Sequence, residues 1–276
     1  MEMNLEERFN KNGLYHFSNS QLQKPVANWF YDYIYLSPEE RRKIIVGENA
    51  ALGTSAHSGI QNVLCNGVEI EQAIDDAVME FEFHPANHSE EKRVKFREVL
   101  PDMIHTGVNL MAEDFTGAEE ERKIELRLEG VILPVIGFVD LFAEGKFAEI
   151  KTKAPRMGAP RKDGTRGWSK GSLPKQPDFS HVQQAAIYNL ATGAEPNIVY
   201  VSSTDGIIFT PQNCEQLSDN YLSYAIDEVR RKCILRQNLL AISDDPKTLA
   251  GILEPDFGSF YWANEQIEEA KKLWKI

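Results

Sequence analysis

The stretch Gly137-Phe-Val-Asp-Leu-Phe-Ala-Glu-Gly-Lys-Phe-Ala-Glu-Ile-Lys151 lies near the middle of the 276-residue chain. It belongs to two apolar, β-prone runs, 135–143 and 146–153, which are joined by Glu144-Gly145. A two-residue connection that ends in glycine is a strong signal for a β-hairpin. The sequence therefore predicts a hairpin in which Ala143 pairs with Lys146.

The register of this hairpin places three charged side chains on one face. Counting back from the loop brings Asp140 opposite Glu149, with Cβ atoms roughly 4.5–5.5 Å apart. Lys151 lies two residues beyond Glu149 and therefore shares its face. The side chains expected on the buried opposite face are Val139, Leu141, Ala148 and Ile150.

Two carboxylates that face each other repel unless a cation lies between them. Mg²⁺ and Mn²⁺ prefer such all-oxygen sites. The alternative is a surface hairpin in which Lys151 neutralises part of the repulsion between Asp140 and Glu149. The spacing alone leaves both interpretations open, so the rest of the chain has to decide between them.

The overall composition is that of an ordinary globular protein, with 42% hydrophobic and 26% charged residues. The chain has no apolar run of roughly 18 residues, and its N-terminus lacks a basic region followed by an apolar one. We therefore expect no membrane association and a cytoplasmic location in a bacterial or phage-infected cell, with an organelle or the nucleus as alternatives. Cys65, Cys214 and Cys233 are far apart, which fits a reducing compartment and gives no metal-ligand spacing.

The charge of the chain is unevenly distributed. Its net charge is −12, which argues against a protein that coats nucleic acid through bulk attraction. The segment Lys153 to Asp178, however, has seven basic and two acidic residues and a net charge of +5. This segment is rich in Gly and Pro and is predicted to be a long loop, a class that is often functional.

The order of predicted elements indicates an α/β fold. Residues 1–118 are mainly helical, residues 119–212 contain most strand signals, and residues 213–276 are again helical. The strands are predicted at 123–128, 133–143, 146–152, 197–203 and 206–210, with a helix at 180–191. The first three strands form a meander and the helix then crosses the sheet. We expect the three regions to form one integrated domain.

Four spaced motifs support the metal-site interpretation. They are Gly53-Thr-Ser-Ala-His57, Gly137-Phe-Val-Asp140, Glu149-Ile-Lys151 and Gln184-Ala-Ala-Ile-Tyr188. With these motifs in this order, the chain resembles the PD-(D/E)XK nuclease superfamily. Within it, the chain is similar to the RecB-like branch, which includes helicase-linked nuclease domains and phage or mitochondrial exonucleases.

The resemblance implies a restriction-endonuclease-like αβββαβ core with a mixed central sheet and with helical additions at both ends. Val139 stands where many members have proline, a change that this branch tolerates. Some relatives hold an iron–sulfur cluster on four cysteines, which three scattered cysteines cannot supply, so no iron–sulfur cluster is expected.

The resemblance also implies roles for individual residues. Asp140, Glu149, the backbone carbonyl of Ile150 and His57 would bind Mg²⁺ or Mn²⁺, and Lys151 would orient or deprotonate the attacking water. A lone helical histidine is otherwise more often a packed residue than a ligand.

The helix after the meander and the first strand supply the remaining candidates. Gln184 would reach the phosphate or a metal-bound water and Tyr188 would brace it; their alternative is a polar residue and a packed aromatic on one helix face. Glu125 would assist a second metal ion, or is simply a solvent-facing strand residue.

Candidate DNA contacts lie mainly in the basic segment, where Trp168 would stack on an unpaired base. Ser18 and Ser20 are further candidates, although helix capping is the simpler role for a serine there. The basic candidates are Lys153, Arg156, Arg161, Lys162, Arg166, Lys170 and Lys175.

These residues together predict a metal-dependent DNA nuclease, most simply an exonuclease that acts on DNA ends or single strands in recombination, repair or replication. No nucleotide-binding P-loop motif occurs, so any helicase or recombination protein would be a separate partner. The alternatives are a structure-specific endonuclease of the same superfamily, an inactive DNA-binding scaffold, and a metal hydrolase of another class.

Overall fold

A computed structural model of the chain describes residues 3–44, 47–85 and 89–275. The α-helices are α1 Leu5–Lys11, α2 Asn19–Gln23, α3 Val26–Phe30, α4 Pro38–Arg41, α5 Glu48–Leu64, α6 Ile70–Phe83, α7 Glu90–Phe115, α8 Phe179–Thr192, α9 Asp219–Ile242, α10 Pro246–Ala250 and α11 Asn264–Trp274. The strands are β1 Glu119–Leu126, β2 Val135–Ala143, β3 Lys146–Thr152, β4 Arg156–Met157, β5 Trp168–Ser169, β6 Glu195–Val201 and β7 Gly206–Phe209. A π-helical turn, Tyr31–Tyr35, follows α3, and a 3₁₀ turn, Glu215–Leu217, precedes α9.

The central sheet has five strands in the order β1-β2-β3-β6-β7. Strands β2 and β3 are antiparallel, β3 and β6 are parallel, and β6 and β7 are antiparallel. The parallel pair requires a crossover connection, and α8 supplies it. The mixed sheet with helical additions confirms the predicted α/β fold class.

The predicted hairpin forms with the predicted register. Ala143 pairs with Lys146 and Leu141 pairs with Ala148, with Glu144-Gly145 between the strands. Gly145 has a φ of 77°, a left-handed conformation that glycine adopts without steric strain. All four side chains predicted for the buried face are fully buried, namely Val139, Leu141, Ala148 and Ile150.

Leu141, Ala148 and Ile150 of that buried face pack in one core cluster with residues of α5, α6 and α7. Helices α5 and α7 approach closely because each has a glycine at the contact. A Cβ on Gly59 would lie 2.5 Å from Ile104 Cδ1, and a Cβ on Gly107 would lie 2.4 Å from Ile60 Cδ1. The helix that carries His57 is therefore fixed by a tight helix–helix contact beneath the sheet.

The first strand begins four residues earlier than predicted, at Glu119 instead of Lys123. Its charged start, Glu119-Glu-Glu-Arg122, has no apolar alternation to indicate a strand. Glu121 has a φ of 50°, which is rare for a residue with a side chain. Such a residue interrupts the regular alternation of side chains along a strand.

The basic segment is largely loop, and it includes one short hairpin that the sequence did not predict. In this basic hairpin, residues 156–169, Arg156 of β4 pairs with Ser169 of β5 and Met157 pairs with Trp168. The Arg161 N–H donates to the Thr165 carbonyl 2.7 Å away near the tip of this basic hairpin. Strands of two residues give no periodic pattern, which explains why the sequence does not predict them.

The chain divides into two compact units. The first contains Met1–Ile44, Glu125–Gly137 and Ser223–Ile276, and the second contains Ile45–Ile124 and Phe138–Leu222. The predicted boundaries 1–118, 119–212 and 213–276 follow sequence order and stay a prediction. No helix in the part of the chain that the structure describes has the length and hydropathy needed to cross a membrane.

The first unit joins the N-terminal helices to the C-terminal ones. Ser18 caps α2 by accepting the Gln21 N–H, and the helix ends where Pro25 lacks an N–H. The Arg236 guanidinium of α9 is almost fully buried and donates to the carbonyls of Gln21, Leu22 and Lys24 at the end of this helix. It therefore replaces the partners that a helix C-terminus lacks.

Arg236→Ala is expected to lower the free energy of unfolding by roughly 3 kcal/mol or more, because three carbonyls, two buried and one partly buried, lose a charged donor. Urea denaturation of the purified protein measures this change. Arg231→Ala on the same helix removes an exposed arginine and is the control, with an expected change within about 0.5 kcal/mol. Equal midpoints for the two variants would contradict the anchoring role of Arg236.

Candidate active site

The two carboxylates of the hairpin lie where the paired part of β2 and β3 ends. The antiparallel pairing stops at Leu141 and Ala148, and the Asp140 carboxylate accepts the Ile150 N–H at 2.7 Å. Asp140 is 8% exposed and Glu149 is 2% exposed. The carboxylates are therefore not on a solvent-exposed surface, although Lys151 pairs with one of them as the surface-hairpin alternative supposed.

Both carboxylates bind protons more tightly than usual. Burial raises the pKa of Asp140 to about 6, against the opposing effect of Lys151. Burial, followed by the negative charge of Asp140, raises the pKa of Glu149 to about 7. Glu149 Oε2 is buried and has no hydrogen-bond partner in the described part of the chain. This site holds negative charge that the protein alone compensates only in part.

Lys151 lies on the same side as the carboxylates, as predicted. Its Nζ donates to Glu149 Oε1 at 2.6 Å and to Gln184 Oε1 at 3.0 Å. Burial lowers the pKa of Lys151, but the charges of Glu149 and Asp140 outweigh it and the net pKa is raised. In the metal-free protein Lys151 is therefore an ammonium group that donates hydrogen bonds.

Helix α8 supplies a second support for Lys151. Gln184 and Tyr188 are four residues apart and share one helix face, as predicted. Gln184 Nε2 donates to the Tyr188 hydroxyl at 2.8 Å, and this hydroxyl donates to the Phe138 carbonyl at 2.8 Å. The phenol therefore braces the glutamine, and a continuous hydrogen-bonded path joins Phe138 to Glu149.

His57 projects from α5 toward the same carboxylates. Its Nδ1 is 3.8 Å from Asp140 Oδ2. Burial, followed by the positive charge of Lys151, lowers the pKa of His57 to about 4, while Glu149, Glu121 and a hydrogen bond with the Ile150 backbone act to raise it. The imidazole is consequently neutral at neutral pH, the state that a metal ligand requires.

Sequence reasoning missed two residues near Asp140. Gln61, one helical turn after His57, donates from Nε2 to the Asp140 carbonyl at 2.9 Å and to Glu121 Oε1 at 3.2 Å. The negative charge of Glu121 also raises the pKa of Asp140. The four-residue spacing of His57 and Gln61 was visible in the sequence, whereas Glu121 is hidden in a run of charged residues.

The chemistry of the donor side chains fits a hard divalent cation, although these donors are few. Among residues 3–44, 47–85 and 89–275, no three His, Cys, Asp or Glu side chains are grouped closely enough to hold a metal ion. Two buried carboxylates, one with an unpartnered oxygen, lie together with a neutral imidazole. Oxygen-rich sites of two carboxylates completed by backbone and water are typical of Mg²⁺.

Four candidates have other partners in the structure. Glu125 pairs with Arg127 at 3.0 Å, and its side chain is 46% exposed. Ser18 has the capping role, and the exposed Ser20 shares a hydrogen bond with it at 3.0 Å. Trp168 packs edge-on against Phe96 with ring centroids 6.3 Å apart, so this ring helps to attach the basic hairpin to α7.

The predicted basic contacts differ in exposure. Lys153 is partly buried, 3.6 Å from the Asp178 carboxylate and over the Tyr200 ring. A cleft of about 180 Å³ lies beside it, lined in part by Asn49, Thr152 and Arg156. The candidates that are solvent-exposed are Arg156, Arg161, Lys162, Arg166, Lys170 and Lys175.

One helical turn before Gln184, His181 forms a partly buried contact that the sequence did not predict. Its Nδ1 lies 2.6 Å from the Tyr200 hydroxyl, which also accepts the Asp178 N–H. The hydroxyl proton can therefore bond to an unprotonated Nδ1. Burial, followed by the charge of Lys151, lowers the pKa of His181 to about 3.

His181→Asn is expected to flatten the dependence of stability on pH. In the unfolded chain His181 gains a proton below its ordinary pKa of 6.5, whereas in the folded protein, where its pKa is about 3, it stays neutral to much lower pH. The wild type therefore loses His181-dependent stability as pH falls through this interval, by at most about 1.4 kcal/mol per pH unit. Urea titrations at several pH values measure the difference, and parallel curves for both proteins would contradict it.

Comparison with known proteins supports the fold. No protein family model matches the sequence, and no curated protein matches it. A crystal structure described as a "putative exonuclease" from Eubacterium rectale is similar, with a TM-score of 0.50 and 14% identity over 86% of this chain and 87% of that chain. The structure of SSO0001 shares 14% identity with a TM-score of 0.36 over 84% of each chain. At this identity the first similarity establishes a shared fold.

Proposed function

We propose that this protein is a nuclease that hydrolyses phosphodiester bonds in DNA with the help of Mg²⁺ or Mn²⁺. The observation that carries the proposal is the buried pair Asp140 and Glu149 beside Lys151, at the end of a hairpin in the fold shared with the Eubacterium rectale protein. The order of the four sequence motifs supports the RecB-like branch. The favoured substrates are DNA ends and single-stranded DNA.

Asp140 and Glu149 would hold the cation, with the Ile150 carbonyl and His57 as further ligands. A divalent cation bound there would neutralise charge on the phosphate and lower the pKa of a bound water. The unpartnered Glu149 Oε2 is the oxygen most readily available to it. Glu125, which is paired with Arg127, is the weaker candidate for a second cation.

Lys151, held by Gln184, would donate a hydrogen bond to the attacking water or to the phosphate. The ammonium of Lys151 would orient a water or a phosphate oxygen through the donor hydrogen that Glu149 and Gln184 do not use. Tyr188 holds Gln184, and Gln184 and Glu149 together hold Lys151 before substrate binds. Such preorganised donors stabilise developing negative charge effectively, since little reorganisation is needed.

The basic hairpin would bind the DNA backbone. It begins five residues after Lys151 along the chain and presents exposed arginine and lysine side chains. The polar cleft with Lys153 and Arg156 begins one residue beyond Lys151, at Thr152. Phosphates are bound chiefly by such side chains, and their contribution to affinity falls as salt rises.

An inactive DNA-binding scaffold is the main alternative of a different class. Two buried carboxylates with raised pKa values destabilise a folded protein, so a scaffold has no physical reason to keep them. A structure-specific endonuclease would use the same residues and is distinguished by its substrate. A helicase or recombination protein would be a separate partner.

Mn²⁺ is expected to stabilise the wild type by about 2.7 kcal/mol when it is present at 100 times its dissociation constant. Asp140→Asn should abolish this gain, since it removes one anionic ligand. Without metal the same variant should be roughly 1–3 kcal/mol more stable than the wild type at pH 8, because a buried charge is gone. Thermal unfolding with EDTA or MnCl₂ measures both effects.

Asp75→Asn, at an exposed aspartate of α6, is the matched control and should respond to Mn²⁺ as the wild type does. An unchanged metal response in Asp140→Asn would show that the cation binds elsewhere. A loss of stability in the metal-free variant would contradict the assignment of Asp140 as a destabilising buried charge.

Lys151→Ala is expected to reduce DNA cleavage by at least about 100-fold, because the oriented donor is lost. The assay follows end-labelled linear DNA with Mg²⁺ or Mn²⁺, and circular dichroism checks folding. Lys247→Ala, at an exposed lysine of α10, is the control and should leave cleavage unchanged. Equal turnover by Lys151→Ala and the wild type would overturn the role of Lys151.

A panel of single-stranded, duplex, flapped, circular and RNA substrates separates the alternatives. Cleavage that requires a free end supports the exonuclease, and cleavage of circles supports the endonuclease. Binding without cleavage of any substrate under either metal would favour the scaffold.

A further inference from the structure

The side chain of Phe138, next to the candidate site, has no role in the proposed metal and phosphate chemistry. Its side chain is 50% exposed, although Val139 next to it is fully buried. Among the described residues, it is the only exposed large hydrophobic side chain on β2 or β3, the strands that carry Asp140, Glu149 and Lys151. The ring is therefore accessible to a bound molecule.

The position of Phe138 is linked to the candidate site in two ways. It lies two residues before Asp140 on the same strand, so both side chains project from one face of the sheet. Its carbonyl accepts the Tyr188 hydroxyl at 2.8 Å, which connects its backbone through Gln184 to Lys151. The ring therefore sits on backbone that is fixed relative to the groups proposed to act on a phosphate.

We propose that Phe138 stacks against an unpaired base next to the phosphodiester bond that is cut. This inference rests on the proposed nuclease function and narrows its substrate to single-stranded or frayed DNA. A base in a duplex has its faces covered by its neighbours, whereas an unpaired base can place a face on an aromatic side chain. The backbone contacts of the basic hairpin and the base contact of Phe138 would then act on the same strand.

A substrate series tests the contact directly. Each oligonucleotide is a single strand of one repeated base with one abasic residue at a different distance from a labelled end, and cleavage is measured in single turnover with Mn²⁺. When the abasic residue occupies the position at Phe138, the kcat/KM of the wild type should be roughly 5- to 100-fold lower than on the intact strand. Phe138→Ala should lose a similar factor on the intact strand.

The decisive observation is whether the two losses add. If the ring and the base touch, Phe138→Ala should show no further loss on the abasic strand, and Phe138→Trp should retain most activity. Losses that multiply, or an unchanged rate for Phe138→Ala on the intact strand, would overturn the inference. Phe83→Ala, at an exposed phenylalanine of α6, is the matched control and should cut both strands at the wild-type rates.

A binding assay separates this inference from the proposed function. Fluorescence anisotropy of a labelled single strand in EDTA requires no cleavage. If the wild type cuts no substrate but Phe138→Ala weakens binding of the intact strand and not of the abasic one, the nuclease proposal fails and the stacking contact stands. If Phe138→Ala binds both strands as tightly as the wild type, the stacking contact is wrong.

Discussion

The burial of two carboxylates beside a single ammonium group constrains everything around them. Asp140 and Glu149 cannot both be ionised in an apolar interior unless donors and a positive charge lie within reach. The Ile150 N–H meets one of them and Lys151 meets the other. Strand β3 supplies both of these groups, so the spacing of residues 149 to 151 has to be kept.

Stability for this arrangement comes from other parts of the second unit. The face of the sheet opposite the carboxylates is covered by apolar side chains packed on α5, α6 and α7. The glycines at the contact of α5 and α7 let the helices approach closely, which brings His57 and Gln61 up to Asp140. A well-packed core of this kind can support a locally unfavourable charge pair, as functional sites commonly require.

Sequence reasoning succeeded where a side chain repeats at a fixed interval. The two-residue turn predicted the pairing of Ala143 with Lys146, which continues to Leu141 and Ala148 beside the two carboxylates. The four-residue spacing of Gln184 and Tyr188 predicted their shared face. It failed where the backbone departs from regularity or where distant segments meet. The left-handed Glu121 lies in a run of charges, the strands of the basic hairpin are too short to show a period, and the contact of His181 with Tyr200 joins two elements. The net raised pKa of Lys151 likewise depends on its own burial, which lowers it, and on the charges of Glu149 and Asp140, which outweigh that effect, and no local pattern contains this balance.

The hydroxyl of Tyr188 has a single proton, and it gives that proton to the Phe138 carbonyl. It can therefore only accept from Gln184, so the amide nitrogen must face the phenol and the amide oxygen must face Lys151. A carboxylate at position 184 has no hydrogen to offer the phenol, and a leucine has neither donor nor acceptor. The direction in which hydrogen bonds run along this path thus selects an amide from among side chains of similar size.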